Sequence, residues 1–583
     1  MALAGEWTAP PRESEPFVSV SDDLATLSDE FFVLQNTLDP LPATLLGITG
    51  YDDLLPDPSR AGSARAVAQL RALEDRVAQL STYTMSEDER VNAAVLARLA
   101  WGMRVDLEEG IWESDASAES YASPHSMVFM CVPAASVVDD ASARAYLTRL
   151  SGLAAYFDAI TERFTQAAND GKLSTRVGVQ RSLDQLNGHL ALDLEEDTLA
   201  NPAVGPEIDA EAFFASTRKI VGESVRPAIA RLSAFFTTLL DGRVRDDEHV
   251  GILFVPGGAE SYAKAVRRQT TTDLSPAAIH QIGLDRLEQL DAEWADLGEK
   301  VLGERDVPTI LTRLREDRSL RFSNASEIVA VVTQALERAE AARDEWFPPY
   351  RIANCIIEEI HPIEAKSAAL AHYVGPSEDG MRPGAHFVLT INPEEKFTYE
   401  YEALAFHEST PGHHLQIATA QTLSDLPDYR RYLDAQLCGF IEGWGLYSER
   451  LADEMGLYTS DLARLGMLSF DALRACRLVV DTGMHFYGWS RQRAVDFMWS
   501  HTATTASNVA NEIDRYIGWP GQALAYMIGR LEIGRLRDVA KDRLGDAFNV
   551  RDFHGVVLGN GAVPLDVLAS TVDRWITQQL QPS

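Results

Sequence analysis

The sequence predicts a mainly α, multi-helical protein of two lobes with a small β-sheet beside a deep cleft, and three observations lead there. Apolar residues recur at three-and-four spacing. Leu70, Leu73, Val77 and Leu80 mark one amphipathic face, and Ile279, Ile282, Leu287, Leu290, Trp294 and Leu297 mark another. Only two runs read as strands, residues 250–255 and 385–391, each bounded by glycine or proline. Finally, 583 residues exceed what one compact core usually organises, so the chain should divide around a cleft. The division is expected near residue 345. Residues 1–345 then form a mostly helical N-terminal lobe, and 346–583 a helical catalytic lobe with an edge strand and the chemistry.

Composition narrows the function classes. With 46% hydrophobic and 24% charged residues the chain reads as a soluble globular protein rather than a disordered one. A formal charge of −35 repels nucleic acid and anionic membrane, so neither is an expected partner. No stretch approaches the ~20 apolar residues of a membrane span. Residues 1–7 lack the basic start and apolar run of a secretory signal, and the expected location is the cytoplasm. Cys131, Cys355, Cys438 and Cys476 are widely separated without Cys-x-x-Cys spacing and read as buried thiols.

The chemistry gathers at residues 407–416, where three of the thirteen histidines, His407, His413 and His414, lie close to Glu408. The segment 385–391 ends at Asn392-Pro393, and Thr398 is a plausible N-cap for a helix with Glu400 and Glu402 in its first turn. That helix carries His407 and Glu408. In a His-Glu-x-x-His helix, residues four apart share a face, so both imidazoles reach one ion while the glutamate handles a proton. Here the fourth position is Pro411, which removes a backbone donor, and Gly412 follows it. A break is therefore expected between Ser409 and His413. Two added residues there bring His413 to the ligand position. His414 is the alternate, on the face of His407 in an undistorted helix but roughly 10 Å further along at ~1.5 Å per residue.

A site of this kind needs a third protein ligand and leaves a fourth position for water. Leu437, Phe440, Ile441, Trp444, Leu451 and Met455 form the packed stripe of a later helix, with Glu442, Gly445, Glu449 and Asp453 on a neighbouring face. Two helical glycines, Gly443 and Gly445, each cost ~1 kcal/mol relative to alanine, so another backbone or side chain should approach closely there. Glu442 is the expected third ligand, and Glu449 the carboxylate that orients an imidazole.

The residues 407–416 and 442–449 resemble the signature of the bacterial family catalogued as domain of unknown function 885. Further stretches are similar to that family: Leu274-Ser275-Pro276, Arg477 through His485, Pro520 through Tyr526, and Pro564-Leu565. The resemblance spans most of the chain and implies a largely helical protein grouped with zinc metallopeptidases. A more distant resemblance, of Phe440-Ile441-Glu442 through Glu449 to the third-ligand helix of the thimet oligopeptidase group, implies a gluzincin-like catalytic lobe. It also implies a donor tyrosine downstream, for which Tyr526 is the first choice and Tyr516 the other.

The function expected is a zinc-dependent metallopeptidase acting on peptide or small amide substrates, with Glu408 as general base. Manganese or cobalt suits the same ligands. Two alternatives are a metal-dependent hydrolase of a non-peptide amide or ester, and a non-catalytic binding protein with a structural metal. The strand at 385–391 could align an extended peptide by edge pairing. Arg474, Arg477 and His485 could hold a substrate carboxylate, but arginines at helical spacing read first as ion-paired structure.

Overall fold

Helix starts are set by short polar caps. The Oγ atoms of Ser59 and Ser275 accept the Gly62 and Ala278 amides at the heads of helices Arg60–Gln79 and Pro276–Leu302 (α1). Ser86 and Glu89 form a capping box at the head of Glu87–Glu109. The apolar faces read from the sequence are buried in both Arg60–Gln79 and α1. The structure, a computed structural model, describes residues 20–82, 84–360, 369–433 and 436–581. Residues 1–7, where the absence of a secretory signal was read, lie outside the described residues.

Among the described residues the fold is mainly helical with one small mixed sheet. Strand β1 (Cys355–Glu359) pairs in parallel with β3 (Gly384–Val388), and β2 (Ala371–Val374) pairs antiparallel on the other side of β3. The strand expected at an edge is therefore the centre of the sheet. Both of its backbone faces are already paired, so it cannot receive a substrate strand. The run 250–255 is not a strand but a single 3₁₀ turn, Ile252–Phe254. The buried Arg245 takes the carbonyls of His249, Val250 and Gly251 at 3.1, 2.6 and 2.8 Å, and His485 Nδ1 accepts the Ile252 amide at 3.0 Å. The groups a neighbouring strand would need are consumed.

The elements of the C-terminal half that carry the site are α2 (Tyr401–Glu408), α3 (His413–Thr422), α4 (Cys438–Glu454), α5 (Asp461–His485), α6 (Ala506–Gly518) and α7 (Ala525–Leu544). Helix α5 is buried almost throughout and is the central post against which α1 packs. Two large apolar clusters organise the molecule. One is built from residues between Leu41 and Leu239, and the other joins Leu70, Trp294, Phe347, Trp444 and Tyr526, drawing on both sides of residue 345. No disulfide joins the four cysteines, all of which are among the described residues, and Cys131, Cys438 and Cys476 are buried. Among the described residues, no helix is long and apolar enough to cross a membrane.

Candidate metal centre

Helix α2 starts at Tyr401 with Glu400 as its N-cap residue, not at Thr398. Residues just before it are held in an extended bridge: Phe322 N donates to Lys396 O, and Thr398 N donates to Leu320 O. The helix can begin only after that bridge. Glu402 does fall in its first turn, where Oε1 accepts from Arg338 and Thr459, each at 2.8 Å.

The helix stops at Glu408 and restarts at His413, so the break lies between Ser409 and Gly412, with a cis bond before Pro411. Side chains from three directions hold it. Trp444 Nε1 and Ser448 Oγ on α4 donate to Pro411 O at 2.9 and 3.2 Å, and His386 Nδ1 on β3 meets Ser409 Oγ at 2.9 Å. Glu340 accepts the Thr410 hydroxyl. At Gly412 a Cβ would sit 1.9 Å from His407 O, so the return of the chain toward α2 admits no side chain.

The restart brings two imidazoles face to edge, His407 and His413, with ring centres 4.7 Å apart at 86°. Glu442 Oε2 lies 3.2 Å from His413 Nε2 and 3.5 Å from His407 Nε2, and one ligand atom from each of the three residues lies within 4.8 Å of the others. Two donors ~2.0–2.1 Å from one tetrahedral ion stand about 3.4 Å apart, so this spacing fits a zinc-sized cation. The donors fit as well. Glu442 Oε2 is buried without a hydrogen bond, and lone pairs converging in this way need a cation or shared protons between them.

Electrostatics around the group follow from that crowding. Burial would raise the Glu442 carboxyl, but His413 and His407 override it and hold it well below the usual carboxylate range. Burial would lower His407, yet Glu442 and Glu449 raise it to about 9. Glu449 Oε1 sits 2.9 Å from His407 Nδ1, which leaves Nε2 directed at Glu442. His413 lacks such a partner, since its Nδ1 is buried and unbonded. Glu408 is buried, and that burial raises its carboxyl above the ordinary value despite the nearby histidines.

Helix α4 approaches closely for two reasons that its glycines explain. A Cβ on Gly445 would lie 2.8 Å from His407 Cε1 and 3.0 Å from His413 Cε1, so the rings occupy the space of the missing side chain. A Cβ on Gly443 would lie 2.5 Å from Gly529 Cα, which marks a tight crossing with α7. That crossing carries Tyr526 to the centre. Its ring stacks on His407 at 6.2 Å and 18°, and burial pushes its phenol up to about 12.

The other sequence-derived residues are placed apart from this group. His414 turns toward the sheet, where Nδ1 meets Tyr373 OH at 2.9 Å, and burial lowers its pKa to about 4. Tyr516 donates to Glu512 and is fully buried. Both ring nitrogens of His485 are engaged, by Ile252 N and by Tyr516 O. Arg474 reaches Glu449 Oε1 at 3.5 Å, and Arg477 pairs with Glu512 at 2.6 Å. Sequence reasoning missed Arg515 and Gln522, which link to Tyr526, and gave no role to His386, which braces the break. For Gln522 the only signal was its place four residues before Tyr526.

Fold and site together define a mainly helical protein with a candidate three-residue metal centre at a broken helix. The chain belongs to the family described as "Bacterial protein of unknown function (DUF885)", whose model matches residues 40–572. It is similar to a solved structure described as a "putative lipoprotein" from Colwellia psychrerythraea, with 26% identity, a TM-score of 0.88, and coverage of 96% of this chain and 100% of that one. A second, described as a "putative lipoprotein of unknown function" from Shewanella oneidensis, shares the fold at 18% identity and a TM-score of 0.70, covering 94% and 99%. Comparison with curated proteins gives no match.

Proposed function

We propose that this protein is a zinc-dependent metallopeptidase that hydrolyses peptide bonds at the His407–His413–Glu442 group. The observation that carries this reading is the convergence of donor atoms of His407, His413 and Glu442 within 4.8 Å of one another, with the buried Glu408 next to His407 in the chain. Three donors gather while His414 is bonded elsewhere, which favours an open ligand position over a closed structural site. Glu442 is the most exposed of the three, with 18% of its side chain open, and substrate would approach from that side.

A divalent ion held there would polarise the scissile carbonyl and lower the pKa of a bound water from 15.7 to about 7. Glu408 takes the proton from the attacking water, whose oxygen joins the carbonyl carbon. As the C–N bond breaks, Glu408 returns that proton to the departing amine nitrogen. Glu449 fixes the His407 tautomer, and the Tyr526 hydroxyl donates to the developing oxyanion. Nucleic acid and membrane take no part in this reading. Cytoplasmic action belongs to it. The two solved neighbours are described as lipoproteins, and cell fractionation distinguishes a cytoplasmic from an envelope location for this chain.

Digestion of a mixed peptide library tests the reading. Zinc-loaded wild type should cleave, and Glu408→Gln should bind zinc equally while losing at least about 100-fold in rate, the scale of general-base catalysis. Equal cleavage by the variant would overturn the assignment of Glu408. No cleavage by the loaded wild type would overturn the peptidase reading.

A further inference from the structure

Beside Tyr526, α5 and α6 bring two guanidinium groups, the buried Arg477 and the half-buried Arg515, to a single carboxylate. Arg477 Nη2 and Arg515 Nη2 both donate to Glu512 Oε2, at 2.6 and 3.3 Å, and Tyr516 OH donates to the same oxygen. Arg477 Nε donates to Tyr516 OH at 2.6 Å, and Arg515 Nη1 to Gln522 Oε1 at 3.0 Å. Two donor groups are left over: Arg477 Nη1 and Arg515 Nε are buried without a partner. Arg477 is only 5% exposed, so solvent does not compensate it. Glu119 also lies in electrostatic reach of Arg515.

Unpaired buried guanidinium donors are costly, and a carboxylate is the group their planar fork matches best. Their position is informative. The Arg477 guanidinium lies 4.1 Å over the Tyr526 ring, which itself stacks 6.2 Å from His407. An extended chain advances about 3.3–3.6 Å per residue, so an anion seated there is one or two residues from a bond at the metal centre. Gln522, which accepts from Arg515, donates through Nε2 to Tyr526 OH at 3.4 Å and so ties the Arg515 guanidinium to the tyrosine.

We propose that Arg477 and Arg515 bind the free C-terminal carboxylate of the substrate, so that the enzyme removes one or two residues from that end. This rests on the peptidase reading for the cleavage, but the carboxylate site can be tested without turnover. Zinc-loaded Glu408→Gln protein is titrated calorimetrically with N-acetylated tripeptides ending in a free acid or an amide, while wild type is assayed for cleavage of the same pairs. The acid should bind about 10- to 100-fold more tightly, the scale of hydrogen bonds to a charged group. Arg477→Met should abolish the preference and Arg477→Lys should restore part of it, both checked for folding by circular dichroism. Acid preference without cleavage would uphold the carboxylate site and sink the peptidase reading. Equal binding of acid and amide by the Glu408→Gln protein, which needs no change at Arg477, would overturn the proposal even if interior bonds are cut. Preference retained in a folded Arg477→Met protein would overturn it as well.

Discussion

Glu449 is where the charge of the centre is set. It is 1% exposed, its Oε1 serves both His407 Nδ1 and Arg474 Nη2, and its Oε2 has no partner. A carboxylate this deep is held by the cationic character of its neighbours, and in return it keeps the His407 ring in one tautomer. Glu449→Ala should therefore weaken zinc binding about 10- to 100-fold, read by competition with a chromophoric chelator. Unchanged affinity would remove Glu449 from the site. The residue types and spacings here were legible in the sequence, because His407, Glu408 and His413 sit within seven positions and Glu442 and Glu449 lie two turns apart on one helix. The choice between His413 and His414 was not, because it depends on Tyr373, 41 residues away, capturing His414.

At the scale of elements, the centre is a broken helix pressed against a glycine-lined one. Pro411 and Gly412 announced the break, and Gly443 and Gly445 announced the close approach; the structure gives each glycine its separate neighbour, α7 and the imidazole rings. Gly445→Ala should overpack this contact, costing ~1–3 kcal/mol in stability and weakening zinc binding, measured by chemical unfolding and chelator competition. Gly534→Ala on α7, where nothing lies within 4 Å of the added Cβ, is the control expected to lose neither. Equal behaviour of the two variants would contradict the packing account. Strand placement was less legible. The run read as a strand at 385–391 overlaps the observed Gly384–Val388, but only long-range pairing with β1 and β2 decides that it is central. The apolar run 250–255 misled because its backbone groups are taken by side chains, the nearby Arg245 and the distant His485 on α5.

Across the whole molecule, one carboxylate clasps the helices behind the centre. Asp471 on α5 receives Arg286 from α1 at 3.0 Å, Arg450 from α4 at 2.7 Å and Arg530 from α7 at 2.7 Å. Burial would raise this carboxyl, but the three arginines hold it well below the usual range. The helix bearing Glu442 and the helix bearing Tyr526 are thus fixed to the same buried post, a relation no local pattern carries. The account stands on that frame presenting His407, His413 and Glu442, without His414, to a single ion. Elemental analysis of metal content in purified wild type, His413→Ala and His414→Ala, each reconstituted with zinc and desalted, tests it most directly. The prediction is about one zinc per chain in wild type and His414→Ala and little in His413→Ala. Zinc retained by folded His413→Ala but lost by His414→Ala, or no zinc in wild type, would contradict it.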